Sequence, residues 1–220
     1  MAVTNKYNRP HPLFGPDCIF AITDWQGFIA AAAEEYATIV GTLAEVATPM
    51  GTGISVSVAN SYVHFDWTSL APLADTAQSI FVRAYIPDNA ANYVLAAWGA
   101  NVIRDGFYIA NNLGQYQGGF VSDMDTGGAI VADRWLSYAV ANTGLNGGAN
   151  EVYGQGVSVG SGLNGGAGVT TTSNLYLFRT PWATSQCPAN SIIQVAAVFN
   201  RVITPAEVLE LHNRCIGLKL

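Results

Sequence analysis

Short apolar runs bounded by Gly, Asn, Asp and Pro recur along most of this chain at spacings of about 8–15 residues. Some runs alternate between apolar and polar positions, as in Ser79–Tyr85, whereas Val195–Phe199 is apolar on both faces and should be covered on both sides. The predicted strands are Ile54–Val58, Tyr62–Asp66, Ser79–Ile86, Tyr93–Trp98, Gly106–Ala110, Gln115–Val121, Trp135–Ala141, Glu151–Val159, Leu175–Arg179 and Ile192–Phe199. Because no helices separate these strands, the pattern predicts an all-β sandwich of two sheets.

The first 49 residues differ from the rest. Three prolines, Pro10, Pro12 and Pro16, precede the apolar run 18–22, which predicts an extended arm that ends as a strand. Behind Asp24, apolar residues recur at helical spacing from Trp25 to Tyr36 and predict a short helix. We therefore expect an N-terminal arm over residues 1–49 and one domain over residues 50–220. The pattern leaves open whether the arm packs on its own domain or on another chain.

A second short helix is predicted near the C-terminus. Thr204, Pro205 and Glu207 occupy the N-cap, first and third helical positions, which is the pattern of a capping box. Val208, Leu211 and Cys215 share the apolar face, and Gly217 follows the last turn.

The composition of the chain argues against nucleic acid and membranes as partners. Charged residues make up 11% of the 220 residues and the formal net charge is −6, so no cationic track exists for nucleic acid or an anionic membrane. Mean hydropathy is +0.25, but no apolar run approaches the roughly 20 residues that span a bilayer. The N-terminal residues lack the apolar segment of a signal peptide, although a signal removed earlier stays open. Cys18, Cys187 and Cys215 suit buried thiols rather than a disulfide framework.

Catalytic motifs occur without their required context. Residues 156–160 match G-x-S-x-G, yet a glycine-rich loop rather than a helix is predicted directly after Ser158, and no Asp follows it in the sequence. Residues 160–165 match G-x-G-x-x-G, but more glycines follow where a dinucleotide site needs a helix. We therefore expect a protein that is not an enzyme and holds no organic cofactor.

Two carboxylates suggest a metal site. Asp123 and Asp125 lie in a predicted turn and would suit a loop calcium site, and a solvated turn is the alternative interpretation. The histidines, His11, His64 and His212, are far apart and show no metal-ligand spacing, so a polar surface or satisfied interior position is expected for each.

Aromatic residues and a short glycine-rich repeat are two further candidates for a ligand-binding surface. Trp67, Trp98, Trp135 and Trp182, together with ten tyrosines, would supply a sugar-stacking platform if exposed, although tryptophans in strands commonly lie in the core. The hexapeptide Gly-Leu-Asn-Gly-Gly-Ala at 144–149 recurs at 162–167 and predicts two similar turns, one at each end of the strand Glu151–Val159. These loops are either binding edges or plain turns.

Residues from about 50 to 216 resemble the laminin-G-like domains of the concanavalin A-like lectin/glucanase superfamily. The resemblance is carried by Val195–Val208, which is similar to the family's final strand, aromatic-Asn-Arg turn and short helix, and by the segments 134–140, 152–156, 61–65 and 79–87. It implies a two-sheet antiparallel jelly roll. The superfamily includes lectins, adhesion modules, hydrolases and viral structural parts, so function does not follow from it. The E-x-D-x-x-E array of its glucanase branch is absent from the sequence.

Two functions agree with these observations. The first is a structural protein of a virus particle, a bacteriophage capsid decoration or tail component that contacts capsid or tail proteins and forms homo-oligomers. Charge depletion favours it, since interface cores lack Lys, Glu and Asp. The second is an extracellular glycan-binding or adhesion module, with or without calcium. A virion protein that also binds surface glycans satisfies both.

Overall fold

The computed structural model describes residues 14, 17–32, 37–66, 76–88, 90–100, 106–120, 123–166, 174–182 and 186–217. The helices are α1 (Phe28–Ala31) and α2 (Pro205–Cys215). The strands are β1 (Cys18–Ile22), β2 (Ala37–Val40), β3 (Leu43–Thr48), β4 (Gly51–Val56), β5 (Tyr62–Phe65), β6 (Gln78–Ile86), β7 (Tyr93–Trp98), β8 (Phe107–Asn112), β9 (Gln115–Phe120), β10 (Asp123–Ala129), β11 (Arg134–Asn142), β12 (Ala149–Gly154), β13 (Val157–Leu163), β14 (Leu175–Leu177) and β15 (Ile192–Phe199).

These strands form two antiparallel sheets. Sheet A has the order β13-β12-β11-β6-β15-β4-β3, and β1 pairs with β15 beside β4. Sheet B has the order β10-β9-β8-β7-β14-β5-β2. The two-sheet antiparallel jelly-roll sandwich with a short C-terminal helix, predicted from the sequence, is confirmed.

Two local predictions differ from the structure. The run Glu151–Val159 is not one strand, because Gln155 and Gly156 adopt φ of 55° and 83° and form the tight turn between β12 and β13. Asp123–Ala129 forms the strand β10 against β9 rather than a turn. In β10 the glycines and polar residues conceal a strand at the edge of sheet B.

The N-terminal segment contributes strands to both sheets. β1 pairs with β15, β3 pairs with β4 in sheet A, and β2 pairs with β5 in sheet B. Within the predicted arm, β1, β2 and β3 therefore lie in the sandwich, and residues 1–13, 15–16 and 33–36 lie outside the described part of the chain. The predicted helix is shorter than expected: α1 has four residues and begins after Gly27 rather than after Asp24. Two residues of the predicted apolar face, Trp25 before the helix and Phe28 within it, are fully buried.

The hydrophobic core lies between the sheets, with Trp25, Trp98, Phe107 and Tyr138 among its largest side chains. A second apolar layer covers the outer face of sheet A, where α2 packs Val208, Leu211 and Cys215 against the sheet. The capping box of α2 is confirmed, because the Thr204 hydroxyl accepts from the Glu207 amide while the Glu207 carboxylate accepts from the Thr204 amide. This helix leaves part of the outer face of sheet A uncovered.

The two copies of the Gly-Leu-Asn-Gly-Gly-Ala repeat lie at the same end of the sandwich and contact each other. The Gly147 amide donates to the Asn164 carbonyl, and the Asn164 amide donates to the Gly148 carbonyl. β12 and β13 form a hairpin, which returns the second copy to the first, so the predicted placement at opposite ends is corrected. Asn164 is buried, whereas its counterpart Asn146 is exposed.

The last strands of the two sheets, β10 and β13, come into contact along one side of the sandwich. A Cβ atom placed on Gly127 would lie 1.8 Å from the Val159 carbonyl oxygen, and one on Gly160 would lie 3.1 Å from the Thr126 carbonyl oxygen. Backbone meets backbone here, and only glycine permits the approach at Gly127.

Candidate functional site

A row of residues crosses the outer face of sheet B. In the observed register, Thr38 pairs with His64, His64 with Tyr176, Tyr176 with Ala97 and Ala97 with Tyr108. Directly paired residues on neighbouring strands point to the same face. Their strand neighbours Val63, Leu175 and Leu177 point into the core. The row is therefore directed away from the core of the sandwich.

Three aromatic rings cluster on this face, two from β5 (Tyr62 and His64) and one from β14 (Tyr176). The His64 and Tyr176 rings stack with centroids 5.0 Å apart and planes 23° apart. Tyr62 lies 6.2 Å from His64 and 5.9 Å from Tyr176, with interplanar angles of 30°. All three side chains are half-buried. We call Tyr62, His64 and Tyr176 the aromatic face.

Polar groups border the aromatic face. The Arg179 guanidinium carbon lies 4.7 Å from the centroid of the Tyr62 ring, within cation–π range. Asn174 Nδ2 lies 2.8 Å from His64 Nδ1. An amide nitrogen only donates, so Nδ1 accepts and the neutral imidazole carries its proton on Nε2. Arg179 and Asn174 flank β14 and place hydrogen-bond donors beside the rings.

The His64 and Tyr176 rings of the aromatic face are uncharged at neutral pH. Burial lowers the pKa of His64 below its usual value, and the nearby Asp66 carboxylate opposes that shift only in part. Burial raises the pKa of Tyr176, with Tyr62 adding to the shift and Arg179 opposing it. A neutral imidazole and a protonated phenol both offer a donor and an acceptor, which suits ligands with hydroxyl groups.

A second aromatic pair continues the row across sheet B. Tyr108 lies beyond Ala97, and the half-buried Trp182 packs edge-on against it with centroids 6.4 Å apart. Burial raises the pKa of Tyr108 to about 12, so its phenol stays protonated. Ala97 is the small residue between this pair and Tyr176. Ala97 is fully buried and Tyr108 is 9% exposed, so the second pair meets solvent mainly through the half-buried Trp182.

The structure separates the tryptophans that the sequence grouped. Trp98 is fully buried in the core, Trp135 lies on the outer face of sheet A, and Trp182 lies on the outer face of sheet B. Trp67 is outside the described residues. The predicted tryptophan platform is therefore not assembled from these side chains. Sequence inspection missed the aromatic face itself, because its residues come from strands more than 100 positions apart.

The two sequence matches to catalytic and dinucleotide-binding motifs lie in and next to the strand β13. Ser158 is exposed on β13, and the turn that precedes it leads into a strand rather than a helix. The G-x-G-x-x-G match begins within β13, and no helix begins in residues 164–166, where the motif ends. All three cysteines are buried free thiols, as predicted, and burial raises the pKa of Cys18 to about 12 and of Cys215 to about 11.

Metal binding stays a prediction. The backbone of Asp123 and Asp125 lies in β10, where positions two apart share one face, but their side chains are not among those described. Among the described residues, no group of three or more His, Cys, Asp or Glu side chains is placed to hold an ion. His64 lies on sheet B, His212 lies in α2 against sheet A, and His11 is outside the described residues. Within the described parts of the chain, no helix has the length and apolarity to cross a bilayer.

The fold has counterparts among solved structures. Domain 4 of AbnA, an extracellular GH43 arabinanase from Geobacillus stearothermophilus solved in complex with arabinotriose, matches 82% of this chain and 91% of its own length, with a TM-score of 0.62 and 17% identity. The binding domain of Paraclostridial Mosquitocidal Protein 1 matches with a TM-score of 0.64 and 13% identity over 82% of this chain. The botulinum neurotoxin serotype G binding domain gives a TM-score of 0.62 and 10% identity over 80%.

The chain spans about half of each toxin binding domain, with 48% and 45% of those chains covered. A scan against protein-family models and a search of curated proteins find no match. At these sequence identities the likeness shows the fold alone. The chain shares the fold of these domains, a two-sheet antiparallel jelly roll.

Proposed function

We propose that this protein is a non-enzymatic carbohydrate-binding module, and that the aromatic face on sheet B is its binding surface. The observation that carries the proposal is the half-buried cluster of Tyr62, His64 and Tyr176, bordered by Arg179 and Asn174. Glycans combine apolar ring faces with hydroxyl groups, so a site that recognises them needs aromatic surfaces beside uncharged donors and acceptors.

The electrostatics of the aromatic face favour neutral sugars. His64 and Tyr176 carry no charge at neutral pH, and the Arg179 guanidinium is engaged over the Tyr62 ring. The rings lie on regular strands of a seven-stranded sheet within the described residues, so binding needs little ordering of the backbone. A rigid, shallow surface of this kind suits part of a chain of sugars rather than an enclosed small molecule.

The structural comparisons support this proposal without establishing it. One similar domain was solved with arabinotriose and two others are binding domains of toxins. Arabinotriose is therefore the first probe to use, followed by a panel of neutral and acidic oligosaccharides with and without calcium. The panel with calcium also tests the predicted role of Asp123 and Asp125.

The direct experiment is calorimetric titration of the protein with each oligosaccharide. We expect saturable binding of at least one neutral oligosaccharide, weakened roughly tenfold by Tyr176→Ala, which corresponds to about 1.4 kcal/mol. Leu163→Ala is the matched control, since Leu163 is 73% exposed and lies on sheet A. Binding by wild type that Tyr176→Ala leaves unchanged would exclude the aromatic face, and no binding across the panel would overturn the proposal.

The role in a virus particle is the second proposal and rests on charge depletion alone. None of the similar structures named above is a virion protein. Density-gradient fractionation of lysate from the native source tests it, because a capsid or tail component travels with large particles at fixed stoichiometry. Recovery only as free protein would exclude a virion location and favour the extracellular alternative.

A further inference from the structure

A buried arginine on the outer face of sheet A lacks a carboxylate partner. Arg83 points outward from β6 and is 5% exposed. Its Nη1 donates to the Ser137 hydroxyl at 3.3 Å, and its Nε has no hydrogen-bond partner. Among the described residues, no Asp or Glu forms an ion pair with it. Buried cationic side chains are nearly always paired, so this arrangement is costly unless a ligand supplies the anion.

The groups around Arg83 do not neutralise it. The Ser137 hydroxyl accepts from Arg83 and lies within hydrogen-bond distance of His212 Nδ1, at 2.8 Å. Burial lowers the pKa of His212, and Arg83 lowers it further, so the imidazole is neutral. Burial also holds the Cys215 thiol protonated, with its pKa raised to about 11. Each neighbour accepts or donates hydrogen bonds without carrying a negative charge.

An aromatic surface lies next to the guanidinium. The Arg83 guanidinium carbon is 5.4 Å from the centroid of the Trp135 ring. Tyr85 pairs directly with Trp135 across the strands, and their ring centroids are 5.9 Å apart. Both side chains are half-buried. Gln155 fixes the backbone here, since its amide nitrogen donates to the Trp135 carbonyl oxygen at 3.1 Å.

We propose that Arg83 and Trp135 form a subsite on the outer face of sheet A that binds the carboxylate group of an acidic sugar. The planar guanidinium binds a carboxylate through two parallel hydrogen bonds, and Nε, which has no partner here, is a donor for one of them. An acidic sugar carries its carboxylate directly on the ring. One residue of such a glycan therefore places the carboxylate against Arg83 and the ring face against Trp135. The indole covering the guanidinium turns aside to admit it.

This subsite is distinct from the aromatic face, which lies on sheet B. Its ligand is anionic, whereas the aromatic face is suited to neutral sugars. The two sites are therefore separable by experiment, and the subsite does not depend on the function proposed for the aromatic face.

The test compares trigalacturonic acid with its fully methyl-esterified form, which differs only in the blocked carboxylates. We expect wild type to bind the acid at least about tenfold more tightly than the ester, and Arg83→Met to lose that preference. Arg134→Met is the matched control, because it removes one positive charge from an exposed position next to Trp135. Tryptophan fluorescence should change on binding of the acid to wild type and to Arg134→Met only.

Folding is checked in the same samples. Removing an unpaired buried charge should leave the melting temperature of Arg83→Met equal to or above that of wild type. Arg83→Lys keeps the charge but lacks the planar edge, so it should show an intermediate preference even if Arg83→Met folds poorly. Equal binding of acid and ester by wild type, or binding of neither, would overturn the subsite. Equal binding of polyglutamate and trigalacturonate would overturn its assignment to sugars.

Discussion

Asn142 and Asn164 hydrogen-bond each other in both directions, with each side-chain amide nitrogen 2.9 Å from the oxygen of the other. Asn142 closes β11 and Asn164 follows β13, so this pair joins two segments that are separated in the sheet by β12. Asn142 also donates to Asn150 at 2.9 Å, and Asn150 donates to the Gly118 carbonyl of sheet B at 3.0 Å. The chain of amides connects the two sheets at the end where the repeats lie.

The contribution of this amide network to stability is testable by substituting the equivalent asparagine in each copy of the repeat. Asn164→Ala leaves a buried amide of Asn142 without its partner, which should lower the free energy of unfolding by about 1–3 kcal/mol. Asn146→Ala changes the same position of the other copy, where the side chain is exposed, and should cost less than about 0.5 kcal/mol. Urea denaturation measures both. Equal effects of the two substitutions would show that the amide pair contributes nothing specific.

Acidification should destabilise the protein through its histidines. Burial places the folded-state pKa of His64 and His212 below the ordinary 6.5, so the unfolded chain binds protons at higher pH than the folded chain. The stability is complete above pH 6.5 and is lost as the pH falls through the lowered values. Thermal melting from about pH 8 to about pH 5 should show this decline. His64→Gln should reduce its slope, and a slope unchanged by that substitution would contradict the assignment.

The same protonation should weaken glycan binding at the aromatic face. A charged His64 carries a proton on Nδ1 and no longer accepts from Asn174 Nδ2. Wild type is therefore expected to bind a neutral oligosaccharide less tightly once the pH falls below the lowered pKa of His64 than at neutral pH. Asn174→Ala, which removes the donor, should bind more weakly at neutral pH and show less dependence on pH. Calorimetry at matched ionic strength distinguishes this from a general loss of folding.

Local sequence patterns could predict most strands because the residue types within a strand reflect how deeply that strand is buried. The predicted strands Tyr93–Trp98 and Ile192–Phe199 have the same bounds as β7 and β15. A run of β-branched and aromatic residues favours a strand whatever its partner strands are. The capping box of α2 is equally local. Gln155 was not recognised as a turn residue, because its positive φ follows from the hairpin and not from its own preference.

The candidate sites depend on information that no local pattern contains. His64 and Tyr176 touch only because β14 pairs with β5, and Arg83 approaches Trp135 only because β6 pairs with β11. The burial of Arg83 likewise depends on sheet A and on α2, which is formed more than 100 residues later. Pairing between distant strands is decided by the whole topology, so the sequence indicated aromatic recognition without indicating which rings meet.

The anchoring of α2 should depend on Glu207. Its carboxylate accepts from both Arg201 guanidinium nitrogens and from the Thr204 amide. The Arg201 hydrogen bonds, aided by those from Thr204, lower the pKa of Glu207 to about 2, against an opposing effect of burial. The resulting stability is present above the ordinary value of 4.5 and is lost as the pH falls towards 2. Glu207→Gln should therefore melt below wild type at neutral pH and converge with it in strong acid.

The N-cap of the same helix offers a separate check. Thr204→Ala removes the hydroxyl that accepts from the Glu207 amide and should cost about 1 kcal/mol of unfolding free energy. Thr204→Ser keeps the acceptor and should stay close to wild type. If alanine and serine behave alike in urea denaturation, the cap does not contribute as described.

The contact between β10 and β13 also limits how copies of this protein assemble. A terminal strand normally exposes backbone groups on which a second chain extends the sheet. At this side the Val159 carbonyl lies against Gly127, and the space that an incoming strand would need is filled by the opposite sheet of the same molecule. A homo-oligomer, which the low charge content favours, therefore cannot grow by continuing a sheet across this side. A contact that extends a sheet would have to use the opposite side of the sandwich, where β3 and β2 are the terminal strands.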